Sequence, residues 1–259
     1  MDLGINGRRA IVCASSKGLG KGCAMALAEA GCEVVINGRD RDVLETTALE
    51  IRHATGAKVT CLAGDVGDPA IRAALLRACP EPDILVNNNG GPPPKPFRAI
   101  RRDDLLLGIE ANMLTPIALA QAVIEGMAQR KFGRIVNITS SSVRAPIAGL
   151  DVSSGARAGL TAFLASSARA FARDNVTINS ILPGSFDTDR IRGGIQRQAS
   201  VKGIDETKVR AEREAAIPAG RFGSPAEFGA LCAFLASVHA SFITGQNILI
   251  DGGAFPGVF

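Results

Sequence analysis

The chain of 259 residues contains neither tryptophan nor tyrosine, and it has only two histidines. Without tyrosine, no phenolic hydroxyl can serve as a proton donor at any site in this protein. The histidines, His53 and His239, stand far apart in the sequence and have no companion cluster of metal-ligating residues. The sequence therefore predicts no metal site.

Cysteine pairs of the C-x-x-C type are also missing. Six cysteines are spread between positions 13 and 232. This spacing is typical of reduced thiols that pack as small hydrophobic side chains, and it disfavours disulfides and zinc binding.

Long apolar runs and concentrated charge are likewise absent. No apolar run precedes the first strand-like segment, so no secretory signal is expected. Nowhere do eighteen apolar residues follow one another, so no membrane span is expected. The net charge is only +4, and the lysines and arginines are scattered, which disfavours a nucleic-acid partner. A cytoplasmic location is the expectation.

Short apolar segments alternate with longer helix-like segments along the whole chain. The predicted strands are Arg9–Ala14, Glu33–Asn37, Lys58–Ala63, Ile84–Asn87, Arg134–Thr139, Thr177–Leu182 and Asn247–Asp251. The predicted helices are Gly18–Ala30, Asp40–His53, Asp68–Cys79, Thr115–Arg130, Ser153–Arg173 and Pro225–Ala236. Strands that are apolar on both faces and alternate with helices are typical of a covered parallel sheet. We predict an α/β fold, a Rossmann-type doubly wound parallel sheet of about seven strands with helices on both faces, forming a single domain over residues 1–259.

Two segments depart from this alternation. Residues 90–97 (GGPPPKPF) form a stiff, proline-rich loop directly after a strand. Residues 189–214 are long and charged, and they lie between a strand and a helix. This second segment is interpreted either as a lid over the substrate or as a solvated helical excursion.

The first strand runs into a glycine-containing turn that is followed by an amphipathic helix. The turn reads Cys13-Ala14-Ser15-Ser16-Lys17-Gly18-Leu19-Gly20. Glycines in this context let the backbone approach a pyrophosphate, which then meets the free N–H groups at the start of the helix. The strand, turn and helix together predict a dinucleotide site.

The end of the second strand indicates which dinucleotide is bound. It reads Asn37-Gly38-Arg39, where an acidic residue would bind the ribose hydroxyls of NAD. Gly38 leaves room for a 2′-phosphate, and Arg39 and Lys17 supply positive charge for it. The predicted cofactor is NADP(H), although either cation alone is also compatible with a plain surface position.

Further short motifs follow in a fixed order. They are Asp65-Val66, Asn87-Asn88-Asn89-Gly90, Asn112, Ser140, Pro183-Gly184 with Thr188, Arg221-Phe222-Gly223, and Asp251-Gly252-Gly253. In this order and spacing the chain resembles the short-chain dehydrogenase/reductase family over nearly its whole length, and within it the β-ketoacyl carrier-protein reductases. The family's glycine-rich turn begins with Thr-Gly, which Cys13 and Ala14 replace here.

The resemblance assigns a role to each matching position. It implies cofactor binding by Ala14, Ser16, Lys17, Gly18, Leu19, Gly20, Arg39, Asp65, Val66, Asn88, Gly90, Pro183, Gly184 and Thr188. It implies catalytic roles for Asn112 and Ser140, a homodimer or homotetramer formed through the Thr115–Arg130 and Ser153–Arg173 helices, and a small carbonyl compound as substrate.

The chain departs from the family at its Tyr-x-x-x-Lys pair. Thirteen residues after Ser140 the sequence reads Ser153-Ser154-Gly155-Ala156-Arg157, so Ser153 and Arg157 occupy the two positions. A serine hydroxyl is far less acidic than a phenol, and arginine keeps its proton under ordinary conditions. Ser153 is also compatible with a helix N-cap. The other acids considered are His53, His239 and Asp151, which we interpret as surface, packing or helix-capping residues.

Two functions of different classes follow. The first is an NADPH-dependent oxidoreductase that acts on a small ketone, aldehyde or acyl carbonyl, with Ser140 as hydrogen-bond donor and Arg157 as a fixed cation. The second is a catalytically silent NADPH-binding protein, a sensor or a supporting subunit. Loss of both the acid and its lysine favours the second, whereas the retained Asn112 and Ser140 favour the first.

Overall fold

Seven parallel strands form one sheet within residues 1–258, the part of the chain that the computed structural model describes. In chain order they are β1 (Arg9–Val12), β2 (Glu33–Gly38), β3 (Val59–Ala63), β4 (Ile84–Asn87), β5 (Gly133–Ile138), β6 (Val176–Pro183) and β7 (Asn247–Ile250). Their order across the sheet is β3-β2-β1-β4-β5-β6-β7. The predicted fold class is confirmed.

Helices cover both faces of the sheet. They are α1 (Gly18–Glu29), α2 (Arg41–Thr55), α3 (Pro69–Ala78), α4 (Arg102–Ile109), α5 (Thr115–Gln129), α6 (Asp151–Phe171), α7 (Asp189–Lys202), α8 (Glu206–Ala215) and α9 (Pro225–Ala236). Because side chains alternate along a strand, Val12 packs into the core under α1, α2 and α9, while Ile11 packs into the core under α3, α5 and α6. This alternation explains why the strands are apolar on both faces.

The strand order reverses at β1, which pairs with β2 on one side and with β4 on the other. The chain runs outward from β1 to β3, then returns and runs outward from β4 to β7. The loops that leave the carboxyl ends of β1 and β4 therefore diverge to opposite faces of the sheet. Such a divergence opens the crevice in which doubly wound sheets bind ligands.

One helix was not predicted. The α4 segment contains three consecutive leucines, Leu105–Leu107, which lack the 3.6-residue spacing of an amphipathic helix. In the structure these leucines are largely exposed, because α4 covers little of the sheet. A π-helical segment, Glu110–Leu114, joins α4 to α5.

The joined helical stretch Arg102–Gln129 is long and apolar enough to cross a membrane by length and composition. Half of its most apolar window is buried, and Leu119 and Val123 of α5 pack into the core beside β4, β5 and β6. Core helices pass the same test of length and composition. The expectation of no membrane span stays a prediction.

The charged segment that was predicted as a lid or a helical excursion forms the antiparallel pair α7 and α8. The two helices share a small apolar cluster of their own, formed by Ile195, Ala199, Val209, Ile217 and Phe222. The first turn of α7 lies beside the crevice at the switch point, where Asp189 and Arg190 line it. The helical character of the segment is thus clear, and its movement as a lid stays a prediction.

Candidate functional site

The turn after β1 is tightly built. Ala14 has a backbone φ of 43°, which ends the strand at Val12, two residues before the predicted end. Asn88 donates a hydrogen bond from Nδ2 to the Ala14 carbonyl over 3.0 Å, so the end of β4 holds the turn in place. A Cβ atom on Gly20 would lie 2.4 Å from the same carbonyl oxygen, so only glycine fits there. The first turn of α1 therefore begins at a rigid, close-fitting loop.

A cleft of about 400 Å³ lies over this turn. Its lining contains most of the residues predicted to bind the cofactor, namely Ala14, Ser16, Lys17, Gly18, Leu19, Arg39, Asp65, Val66, Asn88, Gly90 and Thr188. The other three are not part of its lining: Gly20 packs beneath the turn, Pro183 ends β6, and Gly184 follows β6 and donates its N–H to the Ile250 carbonyl. One cleft thus brings together residues that are far apart in the sequence.

The end of this cleft nearest to β2 carries positive charge. Arg39 is exposed and lines the cleft, and Lys17 lines it from the turn after β1. A Cβ atom on Gly38 would lie 2.8 Å from Ser16 Oγ, so a larger residue there would push into the turn. Lys17 also forms an ion pair with Asp189 over 3.7 Å, which links the turn to the start of α7. A phosphate at the end of β2 fits this set of donors.

Three of the four predicted catalytic residues form one connected network. Ser153 Oγ donates to Asn112 Oδ1 over 3.1 Å and accepts from Arg157 Nε over 3.1 Å. Asn112 lies in the π-helical segment, which turns its side chain inward, and its Nδ2 donates to the Gly90 carbonyl. All three side chains are buried.

Ser140 stands apart from this network. It follows β5 and caps a short 3₁₀ turn, where its Oγ accepts from the backbone N–H of Ser142 over 3.1 Å and from Ser142 Oγ over 2.9 Å. With both bonds directed toward its oxygen, the Ser140 hydroxyl proton is left to donate to another group. The link to the network runs through the backbone, since Arg157 Nη1 donates to the carbonyl of Ile138, two residues earlier, over 2.7 Å.

Arg157 is a buried charge whose contacts are to neutral groups. It is 7% exposed and donates to the carbonyls of Ile138 and Asn89 as well as to Ser153. Burial, and after it the nearby positive charge of Arg190, lower the pKa of Arg157 to about 10. The guanidinium therefore stays protonated at neutral pH and supplies a fixed positive charge.

The helix-capping interpretations are wrong. Helix α6 begins at Asp151, two residues earlier than predicted, and Leu150 occupies its N-cap position. Ser153 lies inside the first turn, where its hydroxyl serves the network and not the helix end. Asp151 is exposed in that same turn. His53 is exposed on α2, and His239 contacts the Asp2 carbonyl through Nε2.

Sequence reasoning missed Arg190. It lies in the first turn of α7, two residues after Thr188, and lines the cleft. A Cβ atom on Gly91 would lie 3.1 Å from Ser153 Oγ and 3.5 Å from Arg190 Nη2, so these two side chains face each other across the glycine. Arg190 lies close to the Thr188 motif in sequence, but no sequence pattern relates it to Ser153, which is 37 residues earlier in the chain.

Comparison with known proteins agrees with the fold. Residues 13–254 match the family model described as enoyl-(acyl carrier protein) reductase. The chain is 33% identical to the NADPH-dependent reductase BacG of Bacillus subtilis over 257 residues, covering 97% of this chain and 99% of BacG. It is 32% identical to the 3-oxoacyl-[acyl-carrier-protein] reductase FabG of Vibrio cholerae over 268 residues, covering 98% and 99%.

A solved structure extends the agreement to three dimensions. The fold superposes on L-sorbose reductase from Gluconobacter frateurii, solved in complex with NADPH and L-sorbose, with a TM-score of 0.95 and 26% sequence identity over the whole of both chains. The sheet order, the glycine turn and the full-length matches lead to one conclusion: this chain belongs to the short-chain dehydrogenase/reductase family.

Proposed function

We propose that this protein is an NADPH-dependent oxidoreductase that reduces a carbonyl, either a 3-oxoacyl group or a small ketone or aldehyde. The observation that carries the proposal is the buried network of Asn112, Ser153 and Arg157 near the end of the cofactor cleft. Burying an arginine without a carboxylate partner costs stability, and in this network the cost falls at the positions to which the family resemblance assigns catalytic residues. The relatives named above are NADPH-dependent or carbonyl reductases by name, which agrees with the predicted NADP(H).

In this proposal the chain's own residues orient the substrate and stabilise charge. NADPH, when bound, supplies the hydride for the carbonyl carbon. Ser140 donates its hydroxyl proton in a hydrogen bond to the carbonyl oxygen, on which negative charge develops. Arg157 stabilises the same charge from the buried side, and Asn112 holds Ser153 and Gly90 in place.

Water delivers the proton that completes the alcohol. The Ser153 hydroxyl already donates to Asn112, and its acidity is far below that of a phenol. Arg157, with its pKa at about 10, does not release a proton at neutral pH. Neither residue replaces the missing tyrosine as an acid, so we expect turnover to be slower than general acid catalysis would give.

The competing function is a catalytically silent NADPH-binding protein. The burial of Ser153, which is 7% exposed and fully engaged by Asn112 and Arg157, favours it. The two functions differ in whether the wild-type protein oxidises NADPH in the presence of a carbonyl compound.

A double substitution separates the two functions. NADPH oxidation is followed at saturating cofactor against a panel of ketones, aldehydes and 3-oxoacyl thioesters, for the wild type and for Ser153→Tyr with Arg157→Lys. We expect turnover in the wild type and about 10- to 100-fold faster turnover in the double variant, because a phenol beside a lysine is a proton donor of suitable pKa. Turnover in the double variant alone would refute the proposal and favour the silent protein.

Cofactor choice is tested at the cations of the cleft. Lys17→Ala combined with Arg39→Ala is expected to raise the Kd for NADPH about 10- to 100-fold, because two charge-assisted bonds to the 2′-phosphate are lost. The Kd for NADH is expected to change by less than about threefold, since NADH has no such phosphate. Arg41→Ala is the matched control, because Arg41 is an exposed cation two residues further along. Equal losses of affinity for NADPH and NADH would contradict the assignment of Lys17 and Arg39 to the 2′-phosphate.

The remaining proposals concern the whole chain. We infer a single domain over residues 1–259 in the cytoplasm, with segment 189–214 as a substrate lid. Exposed apolar side chains on the outer surface of α4 to α6, such as Leu107 at 67% and Phe163 at 47%, support a homodimer or homotetramer formed through α5 and α6. The substrate is a small carbonyl compound.

A further inference from the structure

Two arginines flank Ser153. Arg157 is buried and donates to Ser153 Oγ, whereas Arg190 is exposed and lines the cleft, and a Cβ atom on Gly91 would contact both Ser153 Oγ and the Arg190 guanidinium. Like charges on the same side of a site disfavour each other's charged forms. The lowering of the pKa of Arg157, caused first by burial and then by Arg190, reflects this proximity.

Arg190 is unusual among the charged groups around it. Arg192 pairs with Asp187 at 2.6 Å and with Asp189 at 2.7 Å, and Arg210 pairs with Asp187 and Glu214. Arg190, by contrast, has no ion pair or side-chain hydrogen bond within residues 1–258, although Asp189 is its neighbour in sequence. Asp189 lines the cleft as well, but its carboxylate pairs with Lys17 and Arg192. Within residues 1–258, Arg190 and Arg157 are therefore left without a carboxylate partner.

We propose that the substrate carries a carboxylate close to its reacting carbonyl, and that Arg190 binds this carboxylate. This inference rests on the proposed reductase function and narrows its substrate class to oxo acids. A guanidinium binds a carboxylate with two parallel hydrogen bonds, which fixes its orientation as well as its position. Arg157 has no carboxylate partner in the free protein, so its positive charge attracts the same carboxylate from the buried side.

The position of Arg190 sets the relation between the carboxylate and the carbonyl. Arg190 faces Ser153, and Ser153 belongs to the network whose arginine holds the Ile138 carbonyl, two residues before Ser140. With the carboxylate on Arg190 and the carbonyl oxygen on Ser140, the protein fixes the number of carbon atoms between the two groups, and a series of oxo acids of increasing length tests that number. The cofactor's pyrophosphate is the other anion that an arginine in this cleft can bind, so the experiment must distinguish the two.

Binding measurements make this distinction without requiring turnover. Isothermal titration of the NADP⁺-saturated protein compares pyruvate, acetoacetate and levulinate, in which the carbonyl moves one carbon further from the carboxylate each time, with their methyl esters. We expect at least one acid to bind about tenfold or more tightly than its ester. Arg190→Glu is expected to remove this preference, and the neutral variant Arg190→Met is expected to leave the Kd for NADP⁺ within about threefold.

Arg197→Glu is the matched control. Arg197 lies on the same helix, is exposed, and undergoes the same change of charge. It is expected to keep the preference for the acid within about twofold. Arg190→Met, which removes the charge without reversing it, serves as a second variant if Arg190→Glu does not fold.

The outcomes are distinct. The inference is overturned if none of the three acids binds more tightly than its ester. It is also overturned if Arg190→Glu loses affinity for NADP⁺ but keeps the preference for the acid, because this result would assign Arg190 to the pyrophosphate. A preference for an acid in a wild-type protein that oxidises no NADPH would support the carboxylate site while refuting the reductase function.

Discussion

Ser140→Ala is expected to lower kcat for carbonyl reduction by about 100- to 1000-fold, the effect of removing one donor from a site where negative charge develops. The reason lies in the hydrogen bonds around Ser140. Both of its observed bonds, from the N–H and the hydroxyl of Ser142, are directed to Oγ, so its proton is left for the substrate oxygen. Because no tyrosine shares this task, the loss is expected to be larger than in an enzyme with two hydroxyl donors.

The control is its neighbour Ser141. Ser141 belongs to the same 3₁₀ turn and is only partly buried, so Ser141→Ala makes the same chemical change beside the site. Steady-state kinetics should show kcat within about twofold of the wild type for Ser141→Ala, and the Kd for NADPH should be unaffected in both variants. A Ser140→Ala variant with undiminished kcat would remove Ser140 from the mechanism.

Gly20→Ala is expected to weaken NADPH binding by about 100-fold or more. A Cβ atom at this position would lie 2.4 Å from the Ala14 carbonyl oxygen and 2.8 Å from Asn88 Nδ2. Neither contact can be relieved by a flexible side-chain end, since one is backbone and the other is the amide that holds the turn. The turn must move, and the N–H groups at the start of α1 lose their position for the pyrophosphate. Fluorescence titration of NADPH measures the change in Kd.

Gly22→Ala separates this effect from a general loss of stability. Gly22 lies on the same helix but faces α9, where a Cβ atom would lie 2.1 Å from the Pro225 carbonyl oxygen. We expect Gly22→Ala to lower the Tm while the folded fraction binds NADPH within about threefold of the wild type. Equal affinity losses in the two variants would mean that packing, and not the geometry of the turn, determines cofactor affinity. If Gly20→Ala does not fold, Asn88→Ala probes the same turn by removing its hydrogen bond to Ala14.

The order of strands and helices was predictable because buried parallel strands and the helices between them have different periods. The glycine turn was predictable for a related reason, since its strand, loop and helix are contiguous in sequence. Helix α4 was missed because Leu105–Leu107 are consecutive and exposed, so no period marks them. The start of α6 was placed two residues late because Ser153 looked like an N-cap, while the true N-cap, Leu150, uses no side-chain bond.

The catalytic region was only half predictable. Alignment to a motif identified Asn112, Ser153 and Arg157, and the structure brings them into one network. The carbonyls that Arg157 holds, at Ile138 and Asn89, come from two different strand ends, and no local pattern relates them. Arg190 could not be predicted for the same reason. It comes close to Ser153 only because of where α7 lies relative to the sheet, which no local sequence pattern shows.

In the proposed function, this protein reduces a carbonyl without the tyrosine and lysine of its family. The most direct measurement incubates the wild-type protein with NADPH deuterated at the transferable position and with the carbonyl panel, and analyses the products by mass spectrometry. We predict an alcohol that carries one deuterium on the former carbonyl carbon, and the formation of this alcohol about 100- to 1000-fold more slowly in Ser140→Ala. If the protein binds NADPH tightly but transfers deuterium to no member of the panel, the proposed reductase function is wrong.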